Sequence, residues 1–94
     1  MMKSIGYATL IKYGDKGDNK QYLHIKGGYV RSYDDRTTMY NDNLWQRPQY
    51  ANKEEKYWKE WHDTHEGIHP ILIEAVRVYT DENDFIVCCE YLNV

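Results

Sequence analysis

Three histidines lie close together in the second half of the chain and are the side chains best suited to chemistry. They are His62, His65 and His69, with Asp63 and Glu66 between them. Imidazole nitrogens and carboxylates are ligands of zinc and other divalent ions, so the cluster is a candidate metal site. The spacing matches no established zinc motif. The simpler alternative is that the histidines pack at a helix end, where the macrodipole favours them. General acid–base chemistry is a third reading.

Other reactive side chains carry weaker signals. Cys88 and Cys89 are the only cysteines and are adjacent, so in a strand they would point to opposite faces and could not pair. Their apolar surroundings predict unreactive thiols. A fragment resembling part of a calcium loop reads better as a polar hairpin turn, and comprises Asp15, Gly17, Asp18 and Asn19. The sequence contains no nucleophile motif and no glycine-rich phosphate loop, which favours a non-enzymatic protein without a bound cofactor but leaves an enzymatic role open.

Aromatic and arginine side chains are concentrated in the middle of the chain. Eight of the aromatic residues fall between positions 29 and 61, where large aliphatic residues are scarce. Tyr, Trp and Arg are enriched at the energetic centres of protein interfaces. The sequence therefore predicts a binding surface formed by Tyr29, Arg31, Tyr33, Arg36, Tyr40, Trp45, Arg47 and Tyr50. The alternative is that some of these rings, Trp45 among them, close the edge of a small core.

The partner predicted for this surface is another protein. Exposed rings flanked by Arg and Lys also stack on single-stranded nucleic acid, which stays an alternative, although acidic residues are interleaved with the basic ones. The net charge of −3 excludes the strongly basic footprint of a duplex-binding protein. Homo-oligomers are left open.

The elements that must position these residues follow from periodicity. Residues 4–13 and 20–26 alternate as strands around the turn-forming residues 14–19, and residues 29–33 predict a third strand. Residues 34–49 show no period and predict a long loop. Asn52 and Glu55 form a capping-box pair that begins a helix, and Trp58 and Trp61 lie on its apolar stripe.

The last two strands, 71–79 and 84–94, are apolar on both faces. Such strands are typical of a sheet centre, so Val87→Asp is expected to be severely destabilising. The order β-β-(β)-α-β-β predicts an α+β domain with a small antiparallel sheet of four to five strands and one helix packed on one face.

Length and composition limit the remaining classes. Ninety-four residues predict one domain spanning 1–94. The sequence has no long apolar run for a membrane span and no signal-peptide pattern, and its cysteine usage fits a reducing compartment, so we expect a cytoplasmic protein. Its richness in Lys, Asn and Tyr favours an AT-rich gene. A phage or mobile-element accessory factor that inhibits or redirects a host protein is the corresponding expectation.

Overall fold

Five strands form one antiparallel sheet in a computed structural model that describes residues 2–15 and 18–93. The strands are β1 (Lys3–Asp15), β2 (Asp18–Ile25), β3 (Tyr29–Ser32), β4 (Leu72–Thr80) and β5 (Ile86–Tyr91), and the helix is α1 (Pro48–Thr64). Their spatial order is β3-β2-β1-β4-β5. The predicted α+β class, with a small antiparallel sheet and one packed helix, is confirmed.

The centre of the sheet is β1, and the prediction that the terminal hairpin forms the centre is wrong. β1 pairs with β2 on one side and with β4 on the other, whereas β5 is an edge strand. Val78 on β4 is fully buried, but Val87 on β5 is 44% exposed. An apolar sequence pattern indicates that a strand is suited to burial. The position of that strand in the sheet also depends on which distant strands it pairs with.

The main core lies on the sheet face opposite α1. Inward side chains of all four long strands meet there, and residues 33–46 run across them. This segment contributes Met39 and Leu44, both completely buried. Burying each such side chain is worth about 1.5–3 kcal/mol. The predicted loop is therefore a structural cover for the sheet, and its few large aliphatic residues are core residues.

Two backbone bridges fix this cover in place. Thr38 pairs with Phe85 beside β5, and Trp45 pairs with Tyr7 of β1. Gly6 makes the second bridge feasible, because a Cβ atom built there would lie 2.7 Å from the Cβ of Leu44. Its φ of +148° is also one that residues with side chains rarely adopt. A side chain at this position would force the cover away from the sheet.

The helix begins earlier than the capping pattern predicted. α1 starts at Pro48, four residues before the expected cap at Asn52, and ends at Thr64. Proline suits the first turn because its missing N–H has no partner there and its φ is already helical. The carboxylate of Glu55 does not cap the helix and instead accepts the backbone N–H of Ala75 at 3.1 Å. A long-range partner has replaced the local one.

α1 packs on the second face of the sheet, against β1 and β4. Ala51 is its one fully buried residue among those described, and its carbonyl accepts a hydrogen bond from Thr9 Oγ1 at 3.3 Å. A small residue lets the helix backbone approach the strand closely at this end. The described part of the chain includes no helix with the length and apolar character needed to cross a membrane.

Candidate protein-binding face

The helix presents two adjacent stripes of side chains because residues three and four apart share a face. The inner stripe, which faces the sheet, is partly or fully buried and consists of Ala51, Glu55, Trp58 and His62. The outer stripe is exposed and consists of Tyr50, Tyr57, Trp61 and His65. Aromatic residues thus occupy both the packed side of α1 and the side open to solvent.

Trp58 connects the helix to β2. Its ring centroid lies 4.6 Å from that of His24, which faces α1 because it pairs with Thr9 on the same sheet face. The indole Nε1 of Trp58 donates to Glu54 Oε2 at 3.1 Å. The indole N–H of the partly buried Trp58 ring therefore has a hydrogen-bond acceptor, and the Glu54 carboxylate has a donor.

His62 is the centre of the ring contacts at the end of α1. Its ring lies 4.9 Å from Trp61, 6.4 Å from Tyr13 of β1 and 6.2 Å from His69. His65 stacks on Trp61 with centroids 4.0 Å apart and planes 8° from parallel. Its Nδ1 lies 2.7 Å from the Trp61 carbonyl oxygen, which fixes the ring in place.

These contacts form one continuous network, which we call the ring face. Its members are Tyr13, Tyr22, His24, Tyr57, Trp58, Trp61, His62, His65 and His69. The chain contains four histidines, and all four belong to it. Sequence inspection grouped three of them and missed His24, because a residue on a distant strand shares no local spacing with the helix.

Burial shifts two imidazoles of the ring face toward the neutral form. Desolvation lowers the pKa of His24, and the nearby His62 lowers it further. Desolvation also lowers the pKa of His62, as do His69 and His65, whereas Asp63 opposes the shift. Both rings therefore favour the uncharged state near pH 7, where they act as aromatic rather than cationic side chains.

The histidines do not assemble into a metal centre. Within residues 2–15 and 18–93, no group of three His, Cys, Asp or Glu side chains is arranged to hold a metal ion. His62, Asp63 and His69 instead line a shallow depression of about 290 Å³ together with Lys59, Pro70 and Ile73. His65 is directed to Trp61 and takes no part in it.

Exposed apolar side chains lie on the ring face and in the connection that follows α1. Tyr57 is 49% exposed, Trp61 36% and Ile71 61%. The Ile71 N–H donates to the Lys12 carbonyl at 2.8 Å, which places Ile71 beside the end of β1, next to Tyr13. Ile68 in the same connection is 75% exposed. A contiguous apolar patch rimmed by polar residues is typical of a binding site.

The eight residues of the surface predicted from residues 29–50 are not brought together in this way. Tyr29 and Arg31 lie on the edge strand β3, and Arg31 donates to the Thr38 carbonyl at 3.2 Å. Tyr40 is 54% exposed and lines a depression near the start of β1. Arg36 lies in the turn beside Phe85 and Val87.

The remaining members of that surface serve three different parts of the fold. Trp45 is partly buried beside β1, Arg47 precedes α1, and Tyr50 lies on the outer stripe of the helix. Tyr33, a member of the predicted surface, packs against the core. Burial raises the pKa of its phenol, and burial raises the pKa of the neighbouring Cys89 thiol to about 12. That cysteine is in the unreactive, protonated form expected from its strand.

The calcium-like fragment is only partly visible. Asp15 pairs with Asp18 across the end of the β1–β2 hairpin, in agreement with a turn, whereas Gly17 lies outside the described residues.

No protein-family model, curated protein or solved structure matches this chain. Function is therefore inferred from the contacts, exposure and charge of the ring face itself.

Proposed function

We propose that this protein is a small binding module that holds an apolar segment of another protein on its ring face. The observation that carries the proposal is the continuous network of rings on α1, β1 and β2, in which Tyr57 and Trp61 are open to solvent. Tyr and Trp supply large contact areas with little side-chain entropy to lose, which is why they dominate interface energetics.

Charge at the centre of the ring face favours an uncharged, apolar partner segment. Glu54 is paired with the Trp58 indole, and Glu55 lies 3.7 Å from Lys59. The imidazoles of His24 and His62, whose pKa is lowered by burial, favour the uncharged form near pH 7. A partner that brought a charged group into this centre would lose its hydration without finding an opposite charge, whereas Leu, Ile or Phe side chains would not.

A protein partner is favoured over single-stranded nucleic acid by the signs of the surrounding charges. Single-strand binding needs a positive groove that follows the phosphates as well as rings for the bases. The exposed surface of α1 alternates in sign, with Lys56 and Lys59 against Glu60 and Asp63. An alternating rim suits a protein surface, which also carries both signs.

The proposal is tested with a random peptide library displayed on phage and selected on the immobilised protein at pH 7.5. We expect enriched peptides with apolar anchors. Tyr57→Ala and Trp61→Ala should each weaken a selected peptide by about thirtyfold, the effect of a typical interface hot spot of about 2 kcal/mol. Circular dichroism of each variant checks that the fold is retained.

Tyr40→Ala is the matched control, because Tyr40 is as exposed as Tyr57 but lies outside the ring face. The Tyr40→Ala variant should bind the selected peptide with the same affinity as the parent protein. Loss of binding in Tyr40→Ala and not in Trp61→Ala would instead assign the site to the surface predicted from residues 29–50. A library that yields no peptide dependent on Tyr57 or Trp61 contradicts the proposal.

A salt series with an oligo(dT) probe separates the nucleic-acid alternative. Binding to phosphates weakens steeply as salt rises because counterions are released, whereas binding to an apolar peptide does not. Tight oligonucleotide binding with a steep salt dependence, lost in Trp61→Ala, would replace the protein partner by a single strand. Binding of the kind proposed would let the module inhibit or redirect its partner.

A further inference from the structure

All four histidines of the chain lie on the ring face, although they come from β2, α1 and the connection after α1. Each is in ring contact with a tryptophan or with another histidine. We propose that this face is gated by protons: it holds its apolar partner while the imidazoles are neutral and releases it when they are protonated. The inference rests on the proposed function and adds its regulation.

The geometry makes protonation a change of the whole surface rather than of one side chain. The ring centroids of His62 and His69 are 6.2 Å apart, and Trp61 contacts both His62 and His65, at 4.9 Å and 4.0 Å between centroids. Histidine is the side chain whose charge changes between about pH 5 and 8. Acid therefore converts a nearly uncharged aromatic patch into a cationic one.

The other charged groups around the ring face carry both signs, and several of them already have partners. On α1, Asp63 is the acidic group that acts on His62, and Glu54 is already paired with Trp58. Lys59 lines the same depression as His62 and adds positive charge. Lys20 of β2 pairs with Tyr13 of β1 and adds a further positive charge. Glu55 is engaged by Lys59 and by the Ala75 N–H. Burial raises the pKa of the Tyr13 phenol, which is therefore uncharged in this pH range.

The direction of the pH effect follows from linkage. An imidazole that must be neutral in the complex but is protonated in the free protein releases its proton on binding. The dissociation constant then rises as pH falls, by up to about tenfold per pH unit for each such group. Burial lowers the pKa of His24 and His62, so these two imidazoles favour the neutral form near pH 7 and become charged only below the ordinary histidine value.

The experiment uses a library-selected peptide resynthesised with blocked ends and without ionisable residues, so that any titration belongs to the protein. Its dissociation constant is measured by calorimetry at pH 7.5 and at pH 5.5. We expect at least about tenfold weaker binding at the lower pH. Circular dichroism at both values verifies that the protein is folded.

The control variant carries His24→Gln, His62→Gln, His65→Gln and His69→Gln, which keep polar side chains of similar size but cannot be protonated. Provided that it folds, it should bind the same peptide equally at both pH values. Single His→Gln variants, which disturb less, should each reduce the pH dependence by part of the total.

Four outcomes overturn the inference. Equal affinity of the parent protein at pH 7.5 and 5.5 refutes gating but leaves the proposed function intact. Tighter binding at pH 5.5 shows that charge attracts the occupant instead of expelling it. A pH dependence that is unchanged in every His→Gln variant places the titrating groups elsewhere. If no peptide depends on Trp61 at pH 7.5, the proposed function fails, and the gating of it fails as well.

Discussion

His24 and Trp58 lie with their ring centroids 4.6 Å apart, and this contact ties the second strand to the helix. It fixes how α1 lies over the sheet, because Trp58 is the largest side chain on the inner stripe. It also sets the depth of the ring face: Trp58 is half-buried beneath it, whereas Trp61, one turn further on, is exposed at its surface.

Substitutions at the two tryptophans should separate stability from binding. We expect Trp58→Ala to lower the free energy of unfolding by about 2 kcal/mol, roughly half the cost for a fully buried tryptophan. Trp61→Ala should cost under about 1 kcal/mol, because the ring is exposed. Urea denaturation followed by circular dichroism measures both. Equal costs would mean that Trp61 is part of the packing and not of a free surface.

Val78 and Val87 offer one substitution at two depths of the sheet. Val78→Asp should destabilise by about 4 kcal/mol or more, because it places a charge without a partner in the core. Val87→Asp should change the free energy of unfolding by no more than about 1 kcal/mol, because the side chain is on the exposed part of an edge strand. Thermal melts of the two variants test the strand order directly. A severe effect at Val87 would contradict the placement of β5 at the edge.

Glu74 should be a source of instability at neutral pH. Burial raises the pKa of the Glu74 carboxyl, and the hydrogen bond and the negative charge of Glu55 raise this pKa further. The positive charge of Lys59 lowers the same pKa and partly offsets the shift. The folded state therefore holds this proton more tightly than the unfolded state, and stability falls as pH rises through the window above 4.5. Glu74→Gln should stabilise the protein at pH 7 by less than about 1 kcal/mol after allowance for solvent screening. The gain should vanish as pH approaches 4.5.

Glu55→Ala is the opposing control for that prediction. Glu55 accepts hydrogen bonds from the Ala75 N–H at 3.1 Å and from Asn93 Nδ2 at 3.2 Å. Its removal leaves a backbone donor without a partner and should cost about 1–3 kcal/mol. Stabilisation in both variants would show that repulsion between the two carboxyl groups outweighs these bonds.

The histidines should make the fold itself acid-sensitive. The pKa of His24 and of His62 is lowered in the folded state, so the unfolded state takes up protons first as pH falls below 6.5. Their contribution to stability is complete above that value and is lost as pH falls through the depressed folded values. The midpoint of urea denaturation should decrease as pH falls from 7.5 to 5.5. The decrease should be smaller in the double variant that carries His24→Gln and His62→Gln. An equal slope in parent and double variant would refute this assignment.

The sequence by itself determined the local elements. Alternation predicted the first two strands, apolar character on both faces predicted the last two, and residues 29–33 were indicated as a third; the sheet-and-helix class followed from their order. The helix was also evident, although its start moved to Pro48. These features depend on neighbours a few residues apart, which local pattern records. The cluster of His62, His65 and His69 was visible for the same reason, because a helix turn brings such spacings together.

Only the tertiary structure decided where those elements lie. Both faces of the 84–94 segment are apolar, yet pairing placed β5 at the edge, because each strand competes for a limited number of partners. The long loop predicted for residues 34–49 covers the core, where Met39 and Leu44 are fully buried. His24 belongs to the ring face because its pairing with Thr9 of β1 places its side chain on the sheet face that α1 covers. Contacts between residues far apart in the chain leave no period in the sequence, and here they separate the core from the surface that we propose for binding.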